Sequence, residues 1–154
     1  ISAMTFKIKE YNQFNLFLGI QLQAKQFRYF TEIQHTNKKQ AFNSINLKQH
    51  IKFALELEKE KIWLNRDNKT VTTLQLETFS GKEKNSEEKR GLGKGRSGEH
   101  EFCEYNKGQF LYRYDVLNSN NSIDTIVDGF IIAANHIESN LVKIEEIAEK
   151  YLGN

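Results

Sequence analysis

The chain has 154 residues, 38% hydrophobic and 27% charged, with a net charge of +2, a polar but globular composition that suits one domain with a real core rather than a disordered chain. No apolar run approaches the roughly 18 residues of a membrane span, and no secretory leader is visible. Cys103 is the single cysteine, so no intrachain disulfide can form and a reducing intracellular setting is expected, in nucleus, cytoplasm or organelle.

Ile1-Ser2-Ala3, ahead of Met4, reads as a cloning remnant. Thr5 to Tyr11 alternates as a half-buried strand, with Phe6 and Ile8 on one face and Lys7 and Lys9 on the other. Asn15 to Ala24 alternates again: Leu16, Leu18, Ile20 and Leu22 point inward, and Phe17, Gly19, Gln21 and Gln23 point out. Residues 26–35 predict a third strand, with Phe27, Tyr29, Thr31 and Ile33 on one face and Arg28, Phe30, Glu32 and Gln34 on the other. A turn at Thr36 to Lys39 leads to a short strand at Phe42 to Asn46. Asn46 is the expected cap of a helix from Leu47 to Leu64, whose Ile51, Phe53, Ala54, Leu55, Leu57, Ile62 and Trp63 make a broad apolar face.

Asn65 to Lys69 is a turn, and residues 70–79 are β-prone. Residues 80–99 carry five glycines and no apolar period, the pattern of a mobile surface loop. His100 to Tyr105 and Gln109 to Leu117 predict strands joined by a tight turn at Asn106-Lys107-Gly108. After a turn at Asn118 to Asn121, Ile123 to Val127 fits a short strand or a helix start. One final helix reaches about Leu152, with Phe130, Ile131, Ala134, Ile137, Leu141, Ile144, Ala148 and Tyr151 on one stripe.

A short pattern occurs twice. KQFRYFTEI (Lys25 to Ile33) and KGQFLYRYDV (Lys107 to Val116) share Lys, Gln, Phe and Tyr in register once Gly108 is skipped. Each half then reads as four strands and a helix, so the expected fold is α+β: repeat 1 (4–66) and repeat 2 (67–154) sharing one core in a single domain. Asn106-Lys107-Gly108-Gln109-Phe110-Leu111, closed by Asp115 and Val116, resembles the Asn/Lys-Gly-x-Phe-Leu hairpin of the PUR-repeat, or purine-rich-element-binding, family, which is related in fold to the Whirly proteins. Ala24 to Phe27 and Thr31 to Ile33 match the same pattern without the glycine. The resemblance implies two β-β-β-β-α repeats with antiparallel sheets and helices. It also implies non-enzymatic binding of single-stranded DNA or RNA on an open sheet face.

The charge distribution agrees. Residues 1–66 carry 11 Lys and Arg against 5 Asp and Glu, and residues 67–154 carry 11 against 15. A basic half suits a polyanion, whose condensed counterions Lys and Arg displace, although basic and acidic halves also attract each other. The expected binding residues are Lys7, Lys9, Phe17, Gln21, Gln23, Lys25, Arg28, Phe30, Lys38 and Lys39, with Asn106, Lys107 and Arg113 as their counterparts in the second half. Exposed aromatics there would stack on bases. The Phe27/Tyr29 and Phe110/Tyr112/Tyr114 stripes read as core; reversed sheet faces would make those tyrosines the platform.

Other signals carry less. Gly91 to Arg96 lacks both the GxxxxGK[ST] spacing and a following helix, which excludes a nucleotide-hydrolysing loop. His100, Glu101, Cys103 and Glu104 split across two strand faces without metal-ligand spacing, and no cofactor is expected. Cys103 with His136 lacks the spacing of a nucleophile pair, and Asp115, Glu101 and Glu104 imitate a nuclease carboxylate cluster without its matching Lys motif, which leaves a small nuclease as a remote third reading. The alternative to nucleic-acid binding is a protein-interaction subunit of a larger complex. Pairing of two copies through sheet edges or the final helix would also be compatible with this chain.

Overall fold

A computed structural model describes residues 2–36, 44–64, 74–75 and 102–153. Strands β1 (Ser2–Glu10), β2 (Phe14–Gln23) and β3 (Gln26–His35) precede helix α1 (Ser44–Lys59). Strands β4 (Cys103–Tyr105) and β5 (Phe110–Val116) precede helices α2 (Ile123–Ser139) and α3 (Leu141–Leu152). The strands form one antiparallel sheet in the order β1-β2-β3-β5-β4. The fold is therefore α+β, as its alternating and helical periods predict. The described residues hold three strands before the first helix and two before the second, not four and four.

Alternation divides the sheet into two faces. Leu16, Leu18, Ile20, Phe27, Tyr29, Ile33 and Leu111 turn to the helices and are buried against Phe53, Ala54, Leu57, Trp63, Ala133, Ile137, Ile144 and Ala148. The β2–β3 turn is only Ala24-Lys25, closed without a glycine by a left-handed Ala24 at φ 54°.

Several boundaries differ from the sequence expectation. Ser44–Asn46 is the first turn of α1, so Asn46 neither ends a strand nor caps the helix; Ser44 and Asn46 are both cap-type residues, and composition does not choose between them. Residues 37–43, including the rest of that expected strand, lie outside the described residues. The helix stops at Lys59, and Lys61 takes a left-handed φ of 57° as the Ile62 N–H reaches back to the Leu57 carbonyl. Ile62, Trp63 and Leu64 are nevertheless buried. Of the expected strand at 70–79 only Leu74 and Gln75 are described, and neither is in a strand; the loop at 80–99 lies outside the described residues.

Ile123 to Val127 opens α2, with the Ser122 hydroxyl accepting from the Thr125 N–H. The final helix is two helices, broken at Asn140 (φ −108°, ψ 11°), whose side-chain amide donates to the His136 carbonyl. Ile131, expected on the buried stripe, is 48% exposed.

His50 ties α1 to the sheet. It is fully buried, with Nδ1 2.8 Å from the Gly108 carbonyl oxygen and Nε2 3.2 Å from Thr31 Oγ1. A carbonyl only accepts, so Nδ1 carries the proton, and in the neutral ring the Thr31 hydroxyl donates to Nε2. The contact holds the β4–β5 turn against the helix layer.

Candidate nucleic-acid interface

The sheet face away from the helices carries a second cluster: Phe30, Cys103, Phe110 and Tyr112, with Tyr114 packed beside it. Its layout follows from the register. Across the strands run Ala3, Gln21, Arg28 and Tyr114; then Thr5, Gly19, Phe30, Tyr112 and Cys103; then Lys7, Phe17, Glu32, Phe110 and Tyr105. The Phe30 ring lies over Gly19 and stacks on Phe110, with centroids 4.6 Å apart. A depression of about 440 Å³ opens here, lined by Thr5, Gln21, Gln23, Arg28, Glu32 and Tyr105 among others.

Arg28 is the electrostatic centre of this face. It is only 5% exposed. Its Nε donates to Gln26, its Nη1 to Gln21 and Gln23 at 3.1 and 2.8 Å, and its Nη2 to the Tyr105 hydroxyl at 3.4 Å. The guanidinium also lies 4.5 Å from the Tyr112 ring centroid and 5.5 Å from that of Tyr105. No carboxylate pairs with it among the described residues. Tyr105 stacks on Tyr112, centroids 5.3 Å apart and 14° between planes, and is itself 46% exposed. The Tyr112 hydroxyl and then Arg28 hold the Tyr105 phenol below its ordinary range against the opposing effect of burial, whereas burial and the Tyr105 contact push Tyr112 up.

Glu32 faces the other end of the depression. Burial raises its carboxyl above the ordinary value, partly offset by the hydrogen bond from Gln34. A raised folded-state value means that the folded protein holds this proton more tightly than the unfolded chain. The protonated group therefore favours the fold at low pH, and that contribution is lost as pH rises through the folded-state value. Glu32→Gln is expected to raise the melting temperature at neutral pH and to flatten its pH dependence just above the ordinary carboxylate range. Thermal unfolding across that range checks it; an unchanged profile would mean that the carboxylate is already well solvated.

The expected binding residues do not all meet. Lys7 lies on the helix-free face beside Phe17 and bonds Glu10 at 2.9 Å. Lys9 does not share that face. The register shifts between Lys7 and Lys9, Ile8 takes up the extra position, and Lys9 pairs at 3.1 Å with Glu149 of α3. Phe17, Gln21 and Gln23 are half-buried on the helix-free face, and Arg28 and Phe30 are buried there. Phe30 thus forms part of the floor instead of an exposed platform. Lys25, Asn106 and Lys107 are exposed in the two hairpin turns; Lys38 and Lys39 lie outside the described residues. Arg113 turns to the helix side, where it pairs with Glu58 and donates from Nε to the Leu64 carbonyl at 2.7 Å.

Tyr105, Phe110 and Glu32 line the depression and Tyr112 stacks on Tyr105, and all four are absent from the expected set. The signal that locates them is phase. Phe27 and Phe110 match in the repeated pattern, yet Phe27 faces the helices and Phe110 faces away, as the pairing of Phe27 with Asp115 and of Glu32 with Phe110 requires. Alternation groups Phe110, Tyr112 and Tyr114 on one face of β5, and the pairing of β5 with β3 makes that the Arg28 face.

Among the described residues no three His, Cys, Asp or Glu side chains gather as a metal site, and no helix is long and apolar enough to cross a membrane. Comparison of the chain with protein-family models, curated proteins and solved structures finds no match.

Proposed function

We propose that this chain binds single-stranded nucleic acid, DNA or RNA, on the helix-free face of its sheet, and does so without catalysis. One observation carries the reading: a half-exposed tyrosine, stacked on a second and backed by a buried guanidinium that has no carboxylate partner among the described residues. Tyr105 extends an aromatic stack that a base can continue, worth about 1–3 kcal/mol per base with little sequence preference. Lys7, exposed on this face of β1, and Lys25 and Lys107, exposed in the two hairpin turns, supply phosphate contacts. The finer reading, two PUR/Whirly-like β-β-β-β-α repeats, rests on the sequence resemblance and on a helix following strands in each half, not on a shared side-chain phase, since Phe27 and Phe110 face opposite sides of the sheet.

Fluorescence anisotropy with single-stranded DNA, single-stranded RNA and duplex DNA, each at two salt concentrations, tests it. Single strands are expected to bind preferentially and to weaken steeply with salt. Tyr105→Ala is expected to weaken binding about tenfold. Arg113→Met, on the other face, should lower thermal stability through loss of the Glu58 pair and leave affinity unchanged. Absence of binding at low salt, or a Tyr105→Ala protein that binds as wild type, overturns the reading.

A protein-interaction subunit is the second reading, favoured by a different surface. Ile123, Val127 and Ile131, at 80, 49 and 48% exposure, recur every fourth residue along α2 and make an aliphatic stripe in water. If the stripe pairs two copies, sedimentation velocity should show a concentration-dependent larger species that Val127→Glu abolishes. A single monomeric species for both proteins eliminates self-association through α2.

A further inference from the structure

We propose that Arg28, Tyr105, Gln21 and Gln23 form an oxyanion subsite that takes one phosphate group, a specialisation resting on the nucleic-acid reading above. The argument begins with a cost. A charge removed from water is expensive unless it is paired, and Arg28 is 95% buried beside a depression that it helps to line. Carboxylates usually pair with such a group. Here three neutral glutamine amides and a tyrosine hydroxyl surround it. They orient the guanidinium and leave its charge uncancelled.

Donor accounting identifies the missing partner. A guanidinium has five N–H groups and accepts nothing. Four hydrogen bonds use Nε, both N–H groups of Nη1 and one of Nη2, so one Nη2 donor remains. Because Arg28 only donates, Gln21 and Gln23 must turn their carbonyl oxygens to it, which leaves both NH2 groups to donate elsewhere. The Tyr105 oxygen accepts from Arg28, so its own proton points away from the guanidinium. The groups left over are all donors, clustered around a positive charge. That set complements an oxyanion and rejects an amine or a metal cation.

Glu32 fixes which end of the depression the anion occupies. It follows Arg28 by four residues along β3, roughly 13 Å between Cα atoms, with Phe30 between them. Its carboxylate repels an anion at its own end. The chemistry of the subsite is that of a phosphate group, whether an internal phosphodiester of the strand or a phosphate monoester at its end.

Two variants separate this proposal from the general reading. Tyr105→Phe keeps the stacking ring and removes the hydroxyl, both its outward donor and its acceptor for Arg28; Arg28→Gln removes the charge. The measurements are anisotropy of a single-stranded oligonucleotide with and without a 5′-phosphate, and the NMR resonance of Arg28 Nε during titration with inorganic phosphate. Tyr105→Phe is expected to weaken oligonucleotide binding several-fold without changing its salt slope. Arg28→Gln should reduce that slope by about 0.7, the loss of one phosphate contact on a single strand. Inorganic phosphate should shift the Arg28 Nε resonance in the wild-type protein, an observation that stands even if Arg28→Gln does not fold. A 5′-phosphate that tightens binding only when Arg28 is present assigns a monoester site; indifference to the 5′-phosphate, with the slope change intact, assigns a backbone phosphate. If oligonucleotides bind but phosphate leaves the resonance unmoved and Tyr105→Phe binds as wild type, the subsite is disproved and the broader reading survives. If phosphate shifts the resonance and no oligonucleotide binds, the subsite stands and the nucleic-acid reading falls.

Discussion

Trp63→Ala is expected to destabilise the protein by about 4 kcal/mol, a large share of the 5–15 kcal/mol that holds a typical domain folded. Trp63 is 1% exposed and follows the end of α1, where three elements converge. Its Nε1–H donates to the Phe30 carbonyl of β3 at 3.0 Å. Its ring meets the edge of Tyr29 at 5.2 Å and lies parallel to His136 of α2 at 6.3 Å. His136 in turn lies 2.7 Å from the Ile62 carbonyl oxygen, to which its Nε2–H donates. Truncation removes the buried area, leaves a cavity and frees the chain that exits the helix. Trp63→Phe keeps most of the area and loses the N–H, so it should cost roughly 1–2 kcal/mol. Urea denaturation separates the two. Equal losses for both variants would mean that the hydrogen bond, not the packing, carries the effect.

Gly19→Ala is the second expected large effect, about 2–3 kcal/mol of destabilisation from one added methyl group. A Cβ at Gly19 would lie 2.6 Å from Phe30 Cζ and even closer to the Met4 carbonyl oxygen of β1. The phenyl ring can give way; the strand backbone is held by the ladder. Phe30 rests on this bare backbone and on Phe110, so the substitution also lifts the floor of the depression. Gly19→Ala with Phe30→Leu should recover part of the loss and not all of it, because the clash with Met4 remains. Denaturation midpoints of the single and double variants measure this coupling. A Gly19→Ala protein within about 0.5 kcal/mol of wild type would show that β1 shifts freely there.

How far the sequence disclosed this arrangement depends on the range of the contacts involved. The alternation of residues 14–23 and 26–35 gave the correct inward faces, because each side chain's direction is a local property of an extended chain. Lys9 departed from the pattern because the shift at Ile8 is set by pairing with β2, which alternation in β1 alone does not record. Ile62 and Trp63 continued the apolar pattern of α1, but burial is possible from an irregular segment as well as from a helix. The break at Asn140 was hidden in the same way, since no glycine or proline marks it and Ile144 and Ala148 resume the buried stripe. Arg113 resembled a free surface cation because its partner, Glu58, is 55 residues away in the chain. The aromatic pair Tyr105 and Tyr112 comes together only through the register of β4 on β5.

Among the described residues β1 is an outermost strand, and such a strand presents a row of backbone N–H and C=O groups to another polypeptide. The shift between Lys7 and Lys9 bends and twists that row partway along its length, and two ammonium groups flank the bend. The straight stretch able to template a foreign strand shortens to Ser2–Lys7. Growth of a continuous intermolecular ribbon is disfavoured there, while pairing with β2 resumes on both sides of the irregularity.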